Sequence, residues 1–298
     1  MAHARLAGPA VNTRHVVLLA IAGLILLSAA LRAMYQRWRD LPSPPAEVAR
    51  YTGGAPLPAT DYTSALAVGA LATLRAGDVL DTVGCRRSRR VIKRELRAAA
   101  APYRQSVLGE EAMSTAIGRC VNDLLGPGAE TVGGNLAVIE EVIRHRTRGG
   151  PALWHHSIDE WASRATLPPT AVANLHRTAE KVERAEEELR RTGILRDGEV
   201  VPTLLAYYWG HGVHLTRGAI KVGWLDQARG LNYLRRAGGL ANRRYPSSHT
   251  LVAAQLLPAC LSGDVETIRW AKTVVPQLLA DARSPLVAYA AVVRNSHT

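Results

Sequence analysis

Residues 207–225 read YYWGHGVHLTRGAIKVGWL. The stretch holds two histidines three residues apart, His211 and His214, among two tryptophans and four glycines. Wound at 100° per residue, it predicts a helix with two distinct sides. Leu205, Trp209, Gly212, Val213, Thr216 and Ile220 fall on one side. Tyr207, His211, His214, Arg217, Gly218 and Lys221 fall on the other. The histidines share a face, as metal ligands at i and i+3 would. That face also carries Arg217 and Lys221, and no carboxylate lies between Glu199 and Asp226. A zinc site needs a third protein ligand and a partner to orient each ring. The stretch is therefore read as a packed helix with a polar face, and no metal ligand is assigned. A glycine inside a helix costs about 1 kcal/mol relative to alanine. Gly212 and Gly218 thus point to close approach by neighbouring helices.

Helical signals continue on both sides. Upstream, Leu167-Pro168-Pro169-Thr170 opens a long helix running to Gly193. Its Val172, Leu175, Ala179, Val182 and Leu189 recur at spacings that build one buried stripe. Ser157-Ile158-Asp159-Glu160 has the form of a capping box for a short helix containing Trp161. Downstream, Asp226 is placed to cap a helix ending at Gly238-Gly239. Asp264 is placed to cap another, running to about Arg283 and kinked at Pro276. Gly126 to Gly134 (GPGAETVGG) reads as a loop. There is no hairpin signal, no sustained period-two alternation and no fixed repeat. The fold class expected is all-α: a helical bundle-like domain over residues 61–298, preceded by a single transmembrane helix.

That helix is expected within residues 1–40. Val16 to Leu31 (VVLLAIAGLILLSAAL) is sixteen residues without a charge. It spans about 24 Å as a helix, against a bilayer core of about 30 Å. Extension to Tyr35 closes the gap if Arg32 snorkels to the headgroups. Tyr35 and Trp38 then lie where an aromatic belt would. The rival reading is a cleavable signal peptide, with Ser28-Ala29-Ala30 as its small-residue cleavage site. Arg32, Arg37 and Arg39 follow at once and favour the anchor, with the body on the cytoplasmic side. Residues 41–60 hold five prolines and a Gly-Gly pair and form a linker.

The chain has 298 residues and 47% hydrophobic content, enough for a substantial core, and a net charge of +12. Thirty-three of its 37 basic residues are arginine and it has no phenylalanine, a bias that GC-rich codons produce. The charge alone is therefore weak grounds for an anionic partner. Cys85, Cys120 and Cys260 are odd in number and widely spaced. They form neither a disulfide framework nor a zinc motif, and are read as free thiols in a reducing compartment.

Residues 160–290 resemble the bacterial family known as domain of unknown function 1266, and in particular its actinobacterial members. The likeness rests on residues 167–195 (LPPTAVANLHRTAEKVERAEEELRRTGIL), 204–234 (LLAYYWGHGVHLTRGAIKVGWLDQARGLNYL), 243–250 (RRYPSSHT) and 261–285 (LSGDVETIRWAKTVVPQLLADARSP). A weaker likeness begins at residues 65–78. The resemblance implies a helical fold and no established activity. Against the family pattern, Tyr208, His211 and His214 stand where Asp, Arg and Asn are favoured. His249 stands where Trp is favoured, and Arg217 matches.

Two further constellations bear on function. CRRSRRVIKR, residues 85–94, carries six cations in nine residues from Arg86: Arg86, Arg87, Arg89, Arg90, Lys93 and Arg94. The run reads first as a solvated helix face. Anionic lipid or nucleic acid is the alternative contact, although no aromatics are interleaved to stack on bases. In Trp154-His155-His156 the adjacent histidines diverge and do not chelate together. Phosphate-loop, dinucleotide, HExxH and nucleophile-elbow motifs are absent, so no catalytic residue, cofactor or metal is assigned.

The expected function is a protein-interaction or scaffolding module at the cell membrane, with an unidentified protein partner. One alternative is an enzyme whose polar site lies near His214, Arg217 and His249, on a candidate face that includes Tyr207 and His211. The other is a basic binder of anionic lipid or nucleic acid. An anchored full-length chain stays with membranes after alkaline carbonate washing. Recovery of a mature chain beginning at Leu31 reverses that reading in favour of a signal peptide.

Overall fold

A computed structural model describes residues 50–58, 60, 62–103, 109–126 and 133–296. The expected transmembrane segment lies outside these residues. Within them, no helix is long and apolar enough to cross a membrane. The described residues form eleven α-helices and no strand. These are α1 (Thr63–Arg75), α2 (Arg89–Ala100), α3 (Glu110–Leu124), α4 (Asn135–Gly149), α5 (Trp154–Arg164) and α6 (Pro169–Arg191). They continue as α7 (Leu205–Val222), α8 (Gln227–Arg244), α9 (Ser248–Ser262), α10 (Val265–Ala280) and α11 (Pro285–Ser296).

Helix α7 is the stretch that opened the sequence reading, and it runs through the middle of the molecule. Helices α1, α2, α3, α8 and α9 all pack on it. Helix α1 is buried at every residue and packs also on α8 and α11. A helix that is apolar all round has to be covered all round; α1 is, and α7 is covered except at its last turn, where Lys221 is exposed. Helices α4, α5 and α6 pack on one another, with α6 joining them to α9. Helix α10 rests on α9 and α11.

The expected two-sidedness of α7 is corrected by this packing. Trp209 and Val213 are fully buried, but so are His214 (6% exposed) and Arg217 (2%) on the side read as a polar face. That side meets α1, α2 and the 76–88 loop. Its His214 and Arg217 are interior groups bonded to neighbours distant in sequence. Gly212 lies against the end of α3, where a Cβ would come within 2.6 Å of Leu125 Cδ2. At Gly218 a Cβ would lie 3.0 Å from Ile92 of α2.

Local signals fared unevenly. Pro169 opens α6, which ends at Gly193 with φ 72°, and Leu175, Ala179, Val182 and Leu189 form its buried stripe. Asp226 caps α8 by accepting from Arg229 N, and Asp264 caps α10 by accepting from Thr267 N. Helix α10 contains Pro276 and stops at Ala280. The capping box at Ser157 does not form. Helix α5 already begins at Trp154, fed directly by a 3-10 turn over Pro151–Leu153, so Ser157 is inside it. Nor does α8 end at Gly238-Gly239; it continues to Arg244. Gly238 is where α8 crosses α1, and a Cβ there would sit 3.0 Å from Ala65 N and 3.1 Å from Ser64 Cβ. The sequence reading took a packing glycine for a stop.

Adjacent glycines should therefore respond oppositely to alanine. Gly238→Ala presses a methyl on α1 backbone that cannot yield, and should destabilise by about 1 to 3 kcal/mol. At Gly239 the nearest atom to a Cβ is Arg243 Nη1 at 3.7 Å. Gly239→Ala should stabilise by about 0.5 to 1 kcal/mol through helix propensity. Denaturant melts of the two variants check the sign at each position. Trp209, whose indole Nε1 donates to Gly126 O at 2.8 Å, should cost about 3 to 5 kcal/mol as Trp209→Ala.

Candidate functional site

The polar groups of α7 meet two networks. The first surrounds Arg217. Its Nη1 donates to Thr73 Oγ1 of α1 at 2.8 Å. Its Nη2 donates to the carbonyls of Val79 (2.7 Å) and Gly84 (2.6 Å) in the loop between α1 and α2. Burial pulls the guanidinium pKa down, and nearby Asp78 opposes that shift. Asp78 is itself buried, and its Oδ1 accepts from Val79 N (2.9 Å) and Arg86 N (2.8 Å). Burial would raise its pKa. Hydrogen bonds from the Cys85 thiol and from Arg86 and Val79, with the charge of Arg217, outweigh burial and hold it low. Burial first, and then the hydrogen bond to Asp78 and its charge, push Cys85 up to about 11.

The second network lies one turn earlier on α7. His214 Nε2 is 3.0 Å from Glu95 Oε1 of α2 and 3.1 Å from Arg87 Nη1. Arg87 Nη1 pairs with the other carboxylate oxygen at 2.7 Å. The sequence reading found no carboxylate near the histidines, and locally none exists. Glu95 arrives through space from α2. Burial would raise the Glu95 pKa, but His214 and Arg87 bring it down to about 2. His211 is brought down to about 4 by burial first and by His214 second, so its ring is neutral near pH 7. It packs edge-on against Tyr207, with ring centroids 5.0 Å apart.

The remaining candidate residues do not converge on this site. His249 Nδ1 lies 3.1 Å from Ile194 O, beyond the end of α6. His155 and His156 diverge: His155 Nδ1 meets His176 Nδ1 at 2.7 Å, while His156 faces Glu160 at 3.4 Å. In the basic run, Arg86, Arg89, Arg90 and Arg94 are exposed. Arg87 is not a solvated residue, because its side chain is 10% exposed and bound to Glu95 and His214. Lys93 lies 5.5 Å from the Trp224 ring centroid and pairs with Glu110 at 3.4 Å. Cys120 and Cys260 have thiols pushed up to about 12, chiefly by burial. No cysteine among the described residues is thus activated as a nucleophile. Among the described residues no group of three metal-ligating side chains converges.

Sequence reasoning missed Glu95, Asp78 and Thr73. Glu95 did leave a signal, being the only acidic residue between Cys85 and Gly109, inside a run of cations. Asp78 and Thr73 left none, because their roles depend on the turn that returns the 76–88 loop to α7.

Just outside both networks lies an open groove of about 670 Å³. Arg50, Arg86, Arg87 and Arg283 line it, with Tyr51 and the inward-turned Asp78. It shares Asp78 and Arg87 with the two networks, and its charged lining is mainly cationic.

Two outcomes test this geometry. Arg217→Met leaves a buried hydroxyl and two carbonyls without their donor, and should destabilise by about 3 to 5 kcal/mol. Arg217→Lys should not rescue it, since one ammonium on a flexible stem cannot reproduce the guanidinium fork. Glu95 has a lower pKa folded than unfolded, so it stabilises above about pH 4.5 and loses that contribution as pH falls towards 2. The contribution is on the order of 3 kcal/mol. Glu95→Gln should therefore be less stable than wild type at pH 7, and the two should converge near pH 2 in denaturant titrations.

Comparison with curated proteins finds no match, and neither does comparison with solved structures. A family model matches residues 133–290, from the start of α4 into α11. The match takes in His214 and Arg217. Their partners Thr73, Asp78, Arg87 and Glu95 lie before it. It spans more than half of the chain, and the protein belongs to the family described as protein of unknown function DUF1266.

Proposed function

We propose that the protein is a binding module held at the cell membrane by residues 16–35, with its helical body on the cytoplasmic side. It engages a protein partner through its surface and does not turn over a substrate. The observation behind this reading is the state of the groups best suited to chemistry. Arg217 is bonded to three acceptors, Glu95 and His214 are bonded to each other and to Arg87, and Cys85 donates to Asp78. Arg217 and the Glu95–His214–Arg87 group join α7 to its neighbours, and the Cys85–Asp78 contact closes the 76–88 loop on itself. An active site instead presents such groups to a cavity where a substrate can lie against them.

The test is chemical cross-linking of the full-length chain in its native membrane, followed by mass spectrometry. A protein recovered at constant ratio, and retained by a His249→Ala variant with unchanged melting temperature, supports the reading. Cross-linking no higher than that of an unrelated single-pass protein overturns it. Protease added outside spheroplasts should leave the body intact; digestion from outside reverses the orientation.

A further inference from the structure

The groove beside the candidate face combines three features. The first is charge. Arg50, Arg86, Arg87 and Arg283 line it, and Arg89, Arg90 and Arg94 extend the same surface along α2 as exposed residues. Four carboxylates stand nearby: Glu95 and Asp281 pair with the groove arginines Arg87 and Arg283, and Asp78 and Asp81 accept from the backbone and a hydroxyl. Seven arginines against four carboxylates leave an excess of three positive charges, and among the described residues Arg50 and Arg86 are the groove arginines outside an ion pair.

The second feature is rigidity. Arg87 is held by Glu95 at 2.7 Å. Arg283 donates to both oxygens of Asp281, at 3.0 and 2.8 Å, and its guanidinium lies 4.6 Å from the Tyr51 ring centroid. Arg50 is fixed through its backbone, where its carbonyl accepts Leu80 N at 3.0 Å. Cations already held in place lose little freedom on capturing an anion. Arg86 has no ion pair among the described residues, so its fork remains available for a bidentate bond to phosphate.

The third feature is position. Arg50 is both a wall of the groove and the first described residue after the apolar segment that ends at Leu31. Eighteen residues lie between the two. A chain of that length reaches roughly 25 Å as a coil and about 60 Å fully extended. A bilayer holding the segment is therefore within reach, and tethering raises the local concentration of its headgroups.

We propose that this groove binds the phosphate-bearing headgroup of an anionic lipid, docking the helical body on the membrane that anchors it. The inference rests on the membrane reading above. Lipid is favoured over single-stranded nucleic acid because the patch offers no aromatic platform, Tyr51 being covered by Arg283 and α2 carrying arginines without aromatics, and over a duplex because of the tether to the anchor.

The experiment uses the full-length chain in phosphatidylcholine nanodiscs. It is mixed with separate vesicles of phosphatidylcholine alone, or of phosphatidylcholine with phosphatidylglycerol, and floated on a gradient. The protein should float with the anionic vesicles only, and less so as salt rises. The double variant Arg50→Gln/Arg86→Gln, checked for an unchanged melting temperature, should lose at least tenfold in vesicle affinity. The triple variant Arg89→Gln/Arg90→Gln/Arg94→Gln should lose threefold or less. Equal losses in both variants overturn the groove in favour of diffuse charge. Displacement by millimolar inorganic phosphate overturns the lipid in favour of a free anion. Tighter binding to duplex DNA than to anionic vesicles overturns it in favour of nucleic acid. The two proposals fail separately. A chain washed from membranes by carbonate that still binds anionic vesicles loses the anchor and keeps the groove. A chain that resists washing but ignores the vesicles loses the groove alone.

Discussion

The buried guanidinium of Arg217 is the constraint on which the centre of this molecule depends. A cation taken from water into a helical core demands partners for its donors, and both terminal nitrogens of Arg217 find them while its buried Nε does not. Here the acceptors come from two places: the Thr73 hydroxyl on α1, and the Val79 and Gly84 carbonyls of the loop that follows. Meeting that demand fixes the 76–88 loop against α7. With the loop fixed, Asp78 turns inward, and Arg86 and Arg87 emerge at the start of α2. The same loop reaches back to the linker, where Leu80 N bonds Arg50 O and Asp81 accepts from Thr52 and Gly53. One interior charge thus orders a stretch of irregular backbone and sets the wall of the surface groove.

The other end of α7 is satisfied by the same means. No side chain of its own caps its N-terminus. Glu140 from α4 accepts Leu204 N at 2.7 Å and the Thr203 hydroxyl at 2.6 Å. The Tyr245 hydroxyl accepts Ala206 N and donates to Thr203 O. A carboxylate at a helix N-terminus is also favoured by the helix dipole. Burial nevertheless raises the Glu140 pKa, ahead of the hydrogen bonds that lower it. Tyr289 then binds Tyr245 O and Ala241 O, joining α11 to the same cluster. A central helix covered at that end cannot leave its end groups to water, so its neighbours supply the caps.

This dependence explains what the sequence disclosed and what it hid. Helix existence was legible because apolar spacing and caps such as Asp226 and Asp264 are local. The burial of α7 was half legible: Trp209, Gly212 and Gly218 announced close packing, while His214 and Arg217 suggested solvent. Their polarity is real, but its partners lie on α1, α2 and the intervening loop, more than a hundred positions away. Gly238 shows the same limit. A glycine pair near a helix end reads as a stop, and only the crossing with α1 reveals why a side chain is excluded there. In the basic run, composition made all six cations look alike. The fold separates Arg87, which is built into the core network, from its exposed neighbours.

That separation links the interior to the surface. Arg87 has one side in the Glu95–His214 network and another in the groove wall. Asp78 likewise answers the charge of Arg217 while forming part of the groove floor. The family match begins at residue 133, after both of these residues. The matched region supplies the buried arginine and histidine, and the residues before it supply the groups that complete them and that meet solvent. The cationic surface is tied to the core through Arg87, since moving it would take from Glu95 one of its two partners. The Arg87–Glu95 pair thus gives the groove wall a fixed side chain, while the Arg217 bonds fix the loop that carries Asp78 and Arg86.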